Sequence, residues 1–119
     1  MFTKESSRQI GYKLAEDWNT KSIYDFAEYF TEDVEIISTN VQRFISESNG
    51  HLNGKKALIN YWEYVIDTFP YHQYKIDQIE FEDNTIILRF FNANDNAFSY
   101  GKLYFNEEMK IYKMETSYV

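Results

Sequence analysis

The chain contains no cysteine. That removes disulfide frameworks, thiolate zinc sites, iron–sulfur clusters and cysteine nucleophiles together. It has one proline and four glycines in 119 residues, and no linker, repeat or low-complexity tract. The glycines stand at 11, 50, 54 and 101, too dispersed for a phosphate-cradling loop. The opening MFTKESSRQIGYK holds no apolar run of signal-peptide length, and no later segment approaches a membrane span. Positive charge is scarce as well, with 12 Lys and Arg against 19 Asp and Glu, a net charge of −7 and a pI near 4.8. A surface of that sign repels phosphate backbones, and no stretch concentrates basic residues against it. These absences predict a soluble cytoplasmic protein with neither nucleic acid nor membrane among its partners.

What the chain has in excess is aromatic side chains: two Trp, eleven Tyr and ten Phe, or 19% of its residues. That is more than the core of a 14.4 kDa domain ordinarily takes. The surplus must line a cavity, face a partner, or both. A chain of 119 residues predicts one domain over 1–119, long enough to bury a core without metal or disulfide support.

A first helix is predicted over 4–18 with Thr3 as its N-cap, and Ile10, Leu14, Ala15 and Trp18 fall on one stripe. Ser22 starts a second helix, with Asp25 completing an approximate capping box. Its buried face is Ile23, Phe26, Ala27 and Phe30, and a turn at Thr31, Glu32 and Asp33 ends it. Residues 34–38 predict a short strand with Val34, Ile36 and Ser38 on one face. The Ser-, Asn- and Gly-rich stretch 39–54 reads as a long loop that is either functional or holds a small hairpin of its own, for which 41–45 is the candidate. A third helix follows Gly54, carries Leu58, Tyr61, Trp62, Val65, Ile66 and Phe69 on its apolar face, and stops at Pro70. The period then changes. Residues 71–81, 85–92, 97–105 and 109–118 alternate like strands, with turn chemistry between them, as an antiparallel meander does. Helices set apart from such a sheet predict an α+β domain whose curled sheet and helices enclose a hollow.

Several segments, in this order, carry a resemblance. They are Ala15-Glu16-Asp17-Trp18-Asn19, then Phe26-Ala27-Glu28-Tyr29-Phe30-Thr31-Glu32-Asp33-Val34-Glu35, and Gly50-His51-Leu52-Asn53-Gly54-Lys55-Lys56-Ala57-Leu58. Tyr61-Trp62, Phe69-Pro70, Gly101-Lys102-Leu103-Tyr104-Phe105 and the closing strand from Lys110-Ile111 to Tyr118 follow. Together they resemble the nuclear transport factor 2-like superfamily, in its SnoaL-like branch, over nearly the whole chain. The resemblance implies a cone-shaped, curved antiparallel sheet packed on three helices (a cystatin-like α+β barrel). It also implies a deep apolar pocket and a homodimer through the outer sheet face. It implies no single activity, because this fold hosts isomerases, dehydratases, cyclases, hydrolases, binding proteins and transport adaptors. The ketosteroid isomerase machinery does not carry over. Its base falls on Ser38, its protonated Asp on Gly101, and its oxyanion-binding Tyr near Lys13, one residue from Tyr12. Without those two carboxylates this chain cannot run that proton transfer in the same way.

By the same alignment the pocket is lined by Trp18, Ser38, Trp62, Leu88, Phe90, Asn92, Leu103, Phe105, Met114, Thr116 and Tyr118. Ser38, Asn92, Ser99, Thr116 and the Tyr118 hydroxyl are its polar handles. Strict alternation puts Tyr112 with this inward set and Arg89, Phe91, Tyr100, Tyr104 and Ile111 on the outer face, which suits an isologous dimer. A slip of one residue would exchange the two sets. The candidate catalytic groups are His51 in the long loop, Tyr118 and Tyr12. For His51 the plainer alternative is a solvated loop residue. Arg43, Glu47 and His51 can fix the polar end of a ligand, or pair among themselves. His51 and His72, with Glu47 and Glu80 nearby, lack metal-ligand spacing, so neither a metal nor a cofactor is expected. Two functions are therefore expected in turn. The first is binding of a small, largely apolar molecule in the cone, extending to isomerase, dehydratase or cyclase chemistry. The alternative is a non-catalytic dimeric interaction or adaptor module.

Overall fold

Thr3 caps the first helix, α1 (Lys4–Asn19), through a reciprocal box. The Ser6 N–H donates to Thr3 Oγ1 over 3.0 Å, and the Thr3 N–H donates to Ser6 Oγ over 2.9 Å. This computed structural model describes residues 2–70, 73–93 and 96–119. The predicted strand start at Tyr71 and His72, and the Asn94-Asp95 part of a predicted turn, lie outside the described residues. Leu14 and Trp18 bury the stripe that the spacing predicts. Where α1 crosses the sheet, a side chain at Gly11 would start 3.0 Å from both Ile79 Cδ1 and Leu88 Cδ2. The bare backbone there lets helix and sheet close up.

The second helix, α2 (Ile23–Ala27), is a single turn. Its predicted capping box does not form: Ser22 makes no side-chain cap, and its hydroxyl lies 3.0 Å from that of Thr20 instead. Nor is there a turn at Thr31, Glu32 and Asp33. Those residues belong to β1 (Phe30–Ser38), drawn into the ladder when the Ile111 N–H donates to the Tyr29 carbonyl over 2.7 Å. Val34, Ile36 and Ser38 are buried, as alternation requires.

Residues 39–54 hold more structure than a loop. Ser38 ends β1 and also caps α3 (Thr39–Phe44), which is followed by a 3-10 turn (Ser46–Ser48) and by β2 (His51–Asn53). No hairpin forms within 41–45. The hairpin is β1 with β2, paired Ile36 to Leu52, and the short helix is an excursion between them. Helix α4 (Lys55–Thr68) then buries Leu58, Tyr61, Trp62 and Val65.

Four strands complete the sheet: β3 (Tyr74–Glu82), β4 (Thr85–Asn92), β5 (Ala97–Phe105) and β6 (Ile111–Tyr118). The spatial order is β2-β1-β6-β5-β4-β3. The meander is antiparallel as predicted, but β6 also pairs with β1 in parallel, so the sheet is mixed at that one seam. A bulge sits in β6, where Phe105 faces Ile111 and Tyr104 faces Lys113, leaving Tyr112 without a partner. Ile111 is consequently in the core and Tyr112 is 40% exposed, the reverse of strict alternation. The bulge absorbs one residue. Beyond it Met114 and Thr116 face inward again. Among the described residues, no helix is long and apolar enough to cross a membrane.

Candidate functional site

Four helices and the inner face of five strands surround a partly enclosed cavity of about 110 Å³. Its helical wall is Leu14, Ala15 and Trp18 from α1, Phe26 from α2, Val41 from α3, and Leu58, Tyr61, Trp62 and Val65 from α4. Ile36 and Ser38, Met114 and Thr116, Leu103 and Gly101, Leu88, Phe90 and Asn92, and Tyr74 and Ile76 come from the sheet. Nine predicted pocket residues therefore meet in one place: Trp18, Ser38, Trp62, Leu88, Phe90, Asn92, Leu103, Met114 and Thr116.

Two others do not. Phe105 is buried but outside the cavity lining, and its ring packs edge-on to Phe2 at 5.0 Å. Tyr118 stands at the rim, 38% exposed. Its hydroxyl donates to Asn40 Oδ1 over 2.5 Å and receives a hydrogen bond from Arg43 Nη1 at 3.1 Å. Asn40 itself lines the cavity, so this exposed trio ties α3 to the end of β6 beside the opening.

Gly101 leaves part of the inner face without a side chain. In β5 it lies between Leu88 of β4 and Thr116 of β6, at the middle of the inner face. A side chain there would begin 3.3 Å from Phe90 Cε1 and 3.8 Å from Thr116 Cγ2. The ceiling is an aromatic cluster. Trp62 meets Phe26 at 4.3 Å, Phe30 at 5.3 Å and Trp18 at 5.7 Å, and Trp18 stacks on Tyr74 at 5.3 Å. Asn19 fixes that last contact. Its amide donates to the Tyr74 carbonyl and accepts from the Tyr74 N–H, both at 2.8 Å, which pins the start of β3 to the end of α1. Helical spacing marks Phe26, Leu58 and Tyr61 as core, and they prove to be cavity wall; Tyr74 and Asn40 carry no periodic signal. Asn40 was legible another way, since a Ser two or three residues before exposed N–H groups is a capping pattern.

The polar groups of the lining residues are hydroxyls and amides, from Ser38, Asn40, Asn92, Thr116, Tyr61 and Tyr74, and the indole N–H groups of Trp18 and Trp62. No carboxylate, imidazole, amine or guanidinium lines it among the described residues. The sequence-predicted catalytic groups lie elsewhere. His51 is on the outer face of the sheet, where Nε2 lies 3.5 Å from Glu35 Oε2, and not at the cavity mouth. Tyr12 is 48% exposed on α1, with the Arg8 guanidinium 5.7 Å from its ring. Glu47 sits exposed in the 3-10 turn and Arg43 binds Tyr118, so the loop charges do not converge on His51.

The outer face of the sheet holds further aromatic side chains, and cations cover part of it. The Arg89 guanidinium lies 4.5 Å from the Phe98 ring, and Lys102 and Lys113 lie 5.2 and 5.5 Å from the Tyr104 ring. The Tyr104 hydroxyl donates to Glu115 over 2.6 Å.

Asp17 is the buried carboxylate among the described residues, off the cavity and paired with Lys13 at 3.0 Å. Burial, then the charge of Asp17, raises the Tyr29 phenol above its ordinary value of 10.0. The hydrogen bond to Asp17, then its charge, raises Lys13 above 10.5. Both groups hold their protons more tightly folded than unfolded, so their stabilisation is full below pH 10 and is lost as pH rises through the raised values. Urea midpoints should therefore fall above about pH 10. Tyr29→Phe should flatten that fall, and an unchanged alkaline slope would remove Tyr29 from the account.

No family profile and no curated protein matches the chain by sequence. Solved structures do match by shape. A SnoaL-like protein of unknown function from Burkholderia thailandensis superposes with a TM-score of 0.91 at 15% identity, over 100% of this chain and 99% of the other. An NTF2-like protein of unknown function from Cytophaga hutchinsonii gives 0.73 at 14%, over 100% and 95%. A protein provisionally assigned as a polyketide cyclase, from Sinorhizobium meliloti, gives 0.76 at 9%, over 98% and 100%. The chain has the SnoaL-like, nuclear transport factor 2-like α+β fold.

Proposed function

We propose that this protein binds a compact, largely apolar molecule in its cavity and holds it without acid–base turnover. The observation that carries this reading is the lining itself: apolar and aromatic walls, a few hydroxyls and amides, and no side chain that exchanges a proton near neutral pH among the described residues. Proton transfer next to a carbonyl needs a base within hydrogen-bond reach of the reacting atom. His51, Tyr12 and Tyr118 are not among the lining residues, and the Tyr118 hydroxyl is hydrogen-bonded to Asn40. Ring closure of the kind named for the Sinorhizobium protein would also need such a group. At about 110 Å³ the hollow suits a ligand of about one ring. It lies below the volumes usual for drug-sized ligands.

A panel of single-ring aromatic and alicyclic compounds, screened by thermal shift and then by native mass spectrometry, tests the reading. Ligand present at 100 times its Kd stabilises the folded state by about 2.7 kcal/mol, a shift that thermal melts resolve. Failure of every compound to move the melt at millimolar concentration would remove ligand binding as the function.

A further inference from the structure

Ser38 on β1 and Thr116 on β6 face each other across the parallel seam, and both line the cavity. The Thr116 hydroxyl donates to Ser38 Oγ over 2.5 Å. The Asn40 N–H donates to the same oxygen at 3.2 Å, and the Val41 N–H lies 3.5 Å from it. A serine hydroxyl has two lone pairs and one proton. The lone pairs of Ser38 are taken. Its own proton has no acceptor among the described residues.

Reversing the pair changes the owner of that proton but not the count. Two hydroxyls joined by one hydrogen bond always leave one O–H to place. Ser38 is 6% exposed and Thr116 half-buried, so with Ser38 as owner bulk water does not readily supply the acceptor, and a buried donor without one is unfavourable. The spare O–H and the open volume lie on the same wall.

From this we infer that the cavity selects neutral, single-ring-sized molecules carrying one acceptor oxygen, a ketone or aldehyde carbonyl seated against the Ser38–Thr116 pair. The inference rests on the cavity-binding reading above. A ligand hydroxyl acting as donor would find Ser38 Oγ already occupied. An ionised carboxylate would give up its water for a wall with no cation among the described residues. A carbonyl oxygen accepts the spare proton and brings no charge.

Acetophenone, ethylbenzene and benzoate share a ring and differ in the head group, so titrating each into the intact chain by protein-observed NMR separates the cases. Acetophenone should bind about three- to tenfold more tightly than ethylbenzene, the span of one net hydrogen bond, and benzoate should bind weakest. Ser38→Ala leaves the Thr116 proton free, and Thr116→Val leaves that of Ser38, so each single variant should keep the preference. The double variant should lose it while still binding ethylbenzene, which also reports that it is folded. Should that variant fail to fold, the comparison in the wild-type chain decides alone. Equal affinity of wild type for acetophenone and ethylbenzene overturns the inference and leaves cavity binding standing, as does a preference that survives in the folded double variant. Binding of neither neutral probe overturns both.

Discussion

Trp62→Ala should remove about 3–5 kcal/mol of stability, the largest effect expected of any single substitution here. Trp62 is 3% exposed, and its indole is the hub on which Trp18, Phe26 and Phe30 converge from α1, α2 and the start of β1. Truncation strips the shared partner from three rings at once. A domain of this size is stable by about 5–15 kcal/mol, so the variant sits at the edge of folding at 37 °C. Urea unfolding of wild type, Trp62→Ala and Tyr64→Ala measures it. Tyr64 lies on the opposite side of α4 and is 49% exposed, so its loss should stay within about 0.5 kcal/mol. Comparable losses from the two would mean that the buried face of α4 is assigned wrongly.

The second large effect concerns the hollow. Gly101→Val should abolish uptake of single-ring compounds, weakening it at least about tenfold, a loss of about 1.4 kcal/mol or more. The backbone at Gly101 accepts a side chain, and valine suits a strand. Its first carbon would press on Phe90 Cε1 from 3.3 Å, and its methyl groups would enter the 110 Å³ space. Better strand propensity and the strain of overpacking oppose each other, leaving a net stability change of about 1–3 kcal/mol at most. A folded variant with no ligand response ties binding to the cavity. Unchanged binding would place the ligand elsewhere on the molecule.

Long elements with an uninterrupted period were legible from the sequence. The stripes of α1 and α4 and the alternation of β4 and β5 carry six of the nine cavity residues, because each of these elements runs at least eight residues and shows one face to the core; Ser38 of β1 and Met114 and Thr116 of β6 make up the rest. Short elements were not. A six-residue helix and a three-residue strand hold too few positions to display a period, so α3 and β2 read as loop, and His51, exposed as the plainer reading has it, proves to stand on a strand. The inversion of Ile111 and Tyr112 needed the bulge, and a bulge is a property of the pairing rather than of either strand. Phe105 illustrates a third kind of shortfall. Alternation says which face a side chain takes but not how far along the cone it lies, and Phe105 packs against Phe2 outside the cavity lining. The Ser38–Thr116 contact spans 78 positions and depends wholly on the parallel seam.

That seam has a consequence for how the chain comes to be folded. During synthesis β1 emerges first of the six strands, yet one of its two neighbours is β6, the sixth. Until then one edge of an apolar ribbon, with Val34 and Ile36 on it, has no ladder to join. Non-local pairing of this kind slows folding and prolongs the interval in which a nascent chain is prone to self-association. The strand that completes the cavity wall is thus also the one that gives β1 its second ladder partner and covers that edge.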